Sequence, residues 1–172
     1  YYGDELGMGD NLRLGDRMGV RTPMQWTSER NAGFSAADPE KLFAPVVVDP
    51  EYHYAGHSVD SLDRKPTSFL NWLRRMLKTH RLDPVFRGDS MQLLDPGNPR
   101  VLAFVRELDG AAILCVNNLS RFVQAALVDT RDWIGRTPVD VIGGAAMPPI
   151  TRGEYLLTLG PHSFYWFRLE QR

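Results

Sequence analysis

From residue 66 onward, apolar and polar positions fall into two clear rhythms, one helical and then one of strands. Phe69, Trp72, Leu73, Met76, Leu77 and His80 follow the i, i+3, i+4, i+7, i+8, i+11 spacing of one helix face. Arg74, Arg75, Lys78 and Arg81 lie off that face and gather toward the C-terminal half, where positive charge complements the helix dipole. Pro66, Thr67 and Ser68 give a start signal without singling out the capping residue, and Asp83-Pro84 stops the pattern. The spacing therefore predicts a helix over 66–81. Beyond residue 87 the pattern is that of strands: 91–94, 101–108, 111–119, 121–128, 138–142, 154–159 and 162–169. Asp109-Gly110 joins two of them as a two-residue hairpin signal, and Pro96 to Pro99, Gly143-Gly144, Pro148-Pro149 and Gly160-Pro161 mark turns and loops. Short strands with tight connections predict an antiparallel sandwich.

Residues 1–60 keep neither rhythm for long. They are rich in Gly, Pro, Asp, Asn and Arg, yet carry Tyr1, Tyr2, Met24, Trp26, Phe34, Phe43, Tyr52 and Tyr54. That apolar load argues for a structured loop region with short helical turns. The chain as a whole is thus expected to be α+β. It opens on two tyrosines and a Gly-Asp-Glu loop without a signal peptide, so Tyr1 is expected to be an internal position of a longer protein.

Composition narrows the function. Of 172 residues, 43% are hydrophobic and 24% charged, and the net charge is −1. There is no basic excess to neutralise phosphates, so a nucleic-acid partner is not expected. No run of 18 apolar residues is present, so no membrane-spanning helix is expected. One cysteine, Cys115, sits in an apolar run and is expected to be a buried, inert thiol. A single cysteine excludes an intrachain disulfide and fits a reducing cytoplasm. His53, His57, His80 and His162 share no metal-ligand spacing, and Asp4, Asp10 and Asp16 follow no calcium-loop pattern, so neither metal nor cofactor is implied.

Three segments carry a family resemblance. YYGDELGMGDN at the start resembles the segment after the eighth barrel strand of the α-amylase superfamily. LGDRMGVRTPMQW, with NAGFS shortly after, resembles the signature of that superfamily's α-glucosidase and trehalose synthase branch. The ending GPHSFYWFRLE is similar to the last strand of trehalose synthases, and SFLNWLRRMLKTHR looks like their final barrel helix. The resemblance covers essentially the whole chain. It implies loops and a last helix of a (β/α)8 barrel over residues 1–82, then an all-β domain over 83–172. It also implies an enzyme that interconverts maltose and trehalose by a retaining mechanism. In that family an aspartate nucleophile, a glutamate acid/base and a ring-holding aspartate lie on earlier barrel strands, so none of them falls in this chain.

The same resemblance makes Arg21 the leading candidate for substrate binding, since the arginine of R-T-P-M-Q-W reaches the non-reducing glucose ring beside an upstream aspartate. A planar guanidinium can donate to a hydroxyl and a carboxylate together. Asp16 flanks the motif, either as a hydroxyl acceptor or as a brace for Arg17. Gln25 and Trp26 could line a sugar site or pack the loop. Met18 stands where relatives carry a polar residue. Asp4 and Glu5 are chain neighbours, whereas a retaining pair needs carboxyl groups about 5–5.5 Å apart facing each other, so they are read as loop anchors. Phe164, Tyr165, Trp166 and Phe167 alternate across a strand, half of them toward a core. The expected partners are a disaccharide, maltose or trehalose, and the upstream barrel, with homo-oligomer contacts left open. Two alternatives stand beside the isomerase: an α-glucosidase hydrolysing maltose or isomaltose, and a non-catalytic carbohydrate-binding or assembly module.

Overall fold

The computed structural model describes residues 2–171; Tyr1 and Arg172 lie outside the described residues. The chain divides into two compact units, Tyr1–Leu77 and Lys78–Arg172.

The first unit is built of turns. Single 3-10 turns form at Asp4–Leu6, Asp16–Val20, Arg30–Gly33 and Pro39–Lys41, and the only regular elements described are helix α1 (Val59–Asp63) and the start of α2 (Phe69–Leu82). Leu6, Leu62 and Leu70 are its buried apolar centre, with Met8, Met24 and Val59 packed against them. The helix predicted over 66–81 begins three residues later because Ser68 is the cap. The Ser68 Oγ accepts from the Asn71 N–H (3.2 Å) and donates to the Leu62 carbonyl (2.8 Å). Asn71 reinforces the turn by donating to the carbonyls of Leu62, Asp63 and Lys65.

The periodic face of α2 does not supply the burial. Leu70, outside the predicted stripe, is the buried residue of the helix, whereas Phe69 and Leu77 are exposed. The Phe69 ring stacks on Trp72 (5.3 Å). An amphipathic pattern records a face that can be buried, and here Leu70 is drawn in by Leu6 and Leu62 instead.

In the second unit Asp83 ends α2 and starts α3 (Pro84–Arg87), its Oδ1 accepting from the Val85 N–H (3.0 Å). Among the described residues seven strands follow: β1 (Gln92–Leu94), β2 (Val101–Leu108), β3 (Ala111–Asn118), β4 (Gln124–Asp129), β5 (Thr137–Asp140), β6 (Glu154–Leu159) and β7 (Phe164–Glu170). They form a five-stranded sheet in the order β1-β2-β3-β7-β5 and a two-stranded sheet β4-β6, with every pair antiparallel. The fold is therefore α+β with antiparallel sheets.

The sandwich core joins the two sheets. Small Ala103 and Ala126 are set among large Leu114, Phe167, Leu157 and Leu159, and Trp133 and Ile150 complete the cluster. The opposite face of the larger sheet is covered by Val85 and Phe86, which pack on Ile113 and Cys115. Strand β3 is thus buried on both faces, which is why its sequence is an unbroken apolar run rather than an alternation. On β7 the aromatic pairs separate by parity: Tyr165 stacks with Phe167 (4.9 Å), and Phe164 lies against Trp166 (5.6 Å), which also meets Phe86 (4.9 Å).

The larger departures of strand limits from the sequence pattern have local reasons. β4 starts at Gln124, not 121, because Asn118 Nδ2 (2.7 Å) and Ser120 Oγ (3.0 Å) both donate to the Phe122 carbonyl and bend the chain there. β5 ends at Asp140, whose Oδ2 accepts from the Gly143 N–H (2.6 Å) in a turn. β7 starts at Phe164 because His162 is left-handed (φ 51).

Candidate functional site

The motif residues sit on consecutive turns of the first unit. The Asn11 N–H donates to the Gly19 carbonyl (3.0 Å), closing the loop that holds the Asp16–Val20 turn. Gly19 is required there: a Cβ would lie 2.9 Å from the Asn11 carbonyl oxygen. Asp16 enters the turn in the left-handed region (φ 52), a conformation that Asp tolerates better than most residues. Its carboxylate is exposed and contacts Arg17 (3.3 Å). Arg21 ends the turn, its N–H donating to the Met18 carbonyl (3.0 Å), and its side chain is exposed. Asp16 and Arg21 therefore project from the two ends of one turn.

After Arg21 the chain dives inward. Thr22 and Gln25 are buried, and the Tyr2 hydroxyl donates to the Thr22 carbonyl (2.7 Å). Gln25 is 0% exposed. Its Nε2 donates to the carbonyls of Tyr52 (3.3 Å) and His57 (2.5 Å), so both amide hydrogens are engaged inside the protein. Gln25 is an interior residue here, not one of a sugar-facing surface. Trp26 returns to the surface at 48% exposure.

The segment after Trp26 makes an uncommon turn. Asn31 (φ 55), Ala32 (φ 58) and Gly33 (φ 67) are all left-handed. Ala32 is fully buried, and its carbonyl accepts from both Trp26 (2.9 Å) and Thr27 (3.0 Å) N–H groups. The buried Asn31 side chain donates to the Ser35 (2.9 Å) and Ala37 (2.8 Å) carbonyls, replacing the backbone bonds that such a conformation loses. Left-handed alanine is costly and persists where its surroundings over-determine it.

Two shallow clefts, of about 430 and 410 Å³, border the loops and share Asp10, Leu12 and Asp49. A larger cleft of about 850 Å³ lies on the second unit, lined by Leu127, Leu156, Asp129, Glu154, Arg131 and Asp95 among others, and it has no aromatic face for a sugar ring. Among the described residues no three His, Cys, Asp or Glu side chains gather as metal ligands, and no helix is long and apolar enough to cross a membrane.

Residues 91–166 match the family model described as Maltogenic Amylase, C-terminal domain. The chain is 52% identical over 173 residues to the Trehalose synthase of Pimelobacter sp. (strain R48), covering 98% of the chain and 30% of that protein. The chain is a homologue of trehalose synthases, within the α-amylase superfamily. The Trehalose synthase/amylase TreS of Mycobacterium tuberculosis is 50% identical over 172 residues, with 98% of the chain and 29% of that protein covered. Among solved structures, that of the α-glucosyl transfer enzyme XgtA superposes with a TM-score of 0.72 at 26% identity, over 99% of this chain and 32% of that one. The chain thus spans about 30% of the length of the trehalose synthases it matches.

Of the three residues expected at the substrate, Asp16 and Arg21 lie together on a surface turn of this trehalose synthase homologue, and Gln25 is buried and bonded to the 52–59 segment. Sequence reasoning does not single out Asn31 and Ser58. The N-A-G run carries a signal for Asn31, since Asn and Gly are the residues that most readily turn left-handed. Ser58 and Ser61 form a reciprocal cap at the start of α1, for which a serine three residues ahead of another is the sign.

Proposed function

We propose that this chain completes the sugar site and supplies the β domain of an intramolecular glucosyl-transferring isomerase that interconverts maltose and trehalose. Residues 1–82 are the closing loops and last helix of the (β/α)8 barrel, and 83–172 the C-terminal domain that braces it. The single observation that carries this reading is the 52% identity to a trehalose synthase along 98% of the chain, the R-T-P-M-Q-W loop included.

Retaining glucosyl transfer needs a nucleophilic carboxylate and an acid/base carboxyl group on opposite sides of the scissile bond. These belong to the rest of the barrel. The part of this chain is substrate geometry and the exclusion of water. The Arg21 guanidinium donates to hydroxyls of the non-reducing glucose and to the aspartate beside it. Asp16, at the other end of the same turn, accepts from a hydroxyl. The freed glucose must turn and attack the glucosyl-enzyme through a different hydroxyl before water does, so the loops have to close over it. The partners of this reading are a disaccharide and the preceding barrel.

Product analysis of the full-length enzyme on maltose tests it. Trehalose as main product is the expected outcome. Glucose alone would replace the isomerase with a hydrolase.

A further inference from the structure

We infer that Gln25 is a positioning residue that latches the segment from Tyr52 to Ser58 onto the motif loop and so keeps the sugar site closed to water. The inference rests on the isomerase reading above.

The latch has two hands. The Gln25 side chain donates to the carbonyls of Tyr52 (3.3 Å) and His57 (2.5 Å). The Gln25 carbonyl accepts from the Val59 N–H (2.9 Å), and the next carbonyl, of Trp26, accepts from Asp60 (3.0 Å). One residue of the motif thus holds both ends of the 52–59 stretch. The far end is fixed by the Ser58–Ser61 cap, and the near end by the Tyr52 ring, which packs so tightly over Gly9 that a Cβ there would come within 2.5 Å. Trp26, adjoining the latch, is pinned from its other side by the buried, left-handed Ala32.

The chemistry of the side chain separates this role from two others. A sugar ligand needs a donor or acceptor facing the site, and Gln25 is 0% exposed with both amide hydrogens engaged. Simple packing is served as well by leucine or methionine, which bring no polar atoms. Gln25 instead buries its Oε1 without a hydrogen-bond partner among the described residues. An amide kept at that cost is kept for its two donors.

The test uses the full-length enzyme on maltose, with Gln25→Leu, which keeps the bulk and removes both donors, and Gly9→Ala, which displaces the Tyr52 ring independently. Each is expected to raise the ratio of glucose to trehalose and to lower isomerisation kcat about tenfold, with the KM for maltose within about twofold. Amide exchange at residues 57–60 is expected to quicken in both. An unchanged product ratio and kcat beside a lowered Tm would overturn the inference in favour of bare structure. A rise confined to KM would overturn it in favour of direct sugar binding. If Gln25→Leu does not fold, Gly9→Ala decides by the same readings. Should the unaltered enzyme yield only glucose, the isomerase reading fails by itself. The latch is then judged on hydrolysis, where the variants lower kcat at unchanged KM or the latch is refuted.

Discussion

At the scale of single residues, the chain places its polar side chains according to what they must satisfy. Arg21 is exposed at the end of a turn fixed by Gly19 and closed by the Asn11 N–H. A guanidinium held on such a turn can make two charge-assisted hydrogen bonds to substrate, each contributing about 1.5–3 kcal/mol. Arg21→Ala in the full-length enzyme is therefore expected to lower kcat/KM by about a hundredfold or more, with the unfolding transition unchanged. Steady-state kinetics and a thermal melt check it, and intact kinetics would remove Arg21 from the site. Cys115 shows the opposite case. Burial pushes its thiol up to about 12, against a weaker downward pull from Arg106. It should resist a thiol reagent at pH 8 while folded and react fully once denatured. The raised value also has a sign for stability: the contribution is intact below the ordinary thiol range near 8.5 and is lost as pH rises from there toward 12. Titrating unfolding between those limits, with Cys115→Ala as reference, measures it.

At the scale of elements, what could be read from the sequence was what depends on local periodicity and turn chemistry. The Asp109-Gly110 hairpin is the clear instance: both residues are left-handed (φ 50 and 80), and Leu108 pairs with Ala111 across the turn. The alternation of Phe164 to Phe167 was legible for the same reason. What could not be read was which partner each face would find. The α2 stripe predicted a buried surface, but Leu70 is the buried side chain, because that choice depends on Leu6, far away in sequence. The 1–60 loops obey long-range side-chain-to-carbonyl bonds, such as Gln25 to residues 27 and 32 positions away, and these leave no periodic trace. One junction of elements can be tested directly. Asp83 caps α3 and also pairs with Arg168 of β7, with side-chain exposures of 6% and 34%. Asp83→Ala removes a cap and leaves a half-buried cation unpaired. A loss of about 2–4 kcal/mol follows, measurable by denaturant titration. Asp83→Asn, which keeps the cap, should lose less.

At the scale of the whole chain, chemistry and framework are divided. The homology is to enzymes more than three times as long, since 98% of this chain covers 30% of the relative. The described residues of the first unit bring acids such as Asp10, Asp16 and Asp49 to exposed loops, Asp10 and Asp49 at the edge of open clefts. Retaining chemistry needs a nucleophile and an acid about 5–5.5 Å apart across one bond. Several apolar side chains of this unit are also uncovered, Leu12 at 90% and Phe43 at 94% exposure among them. The chain produced by itself is therefore expected to give neither trehalose nor glucose from maltose, while the full-length enzyme gives trehalose. Chromatography of the sugars after long incubation reads both at once. Turnover by the 172-residue chain would mean that its own carboxylates can be brought face to face. It would overturn the assignment of the reactive groups to the rest of the barrel.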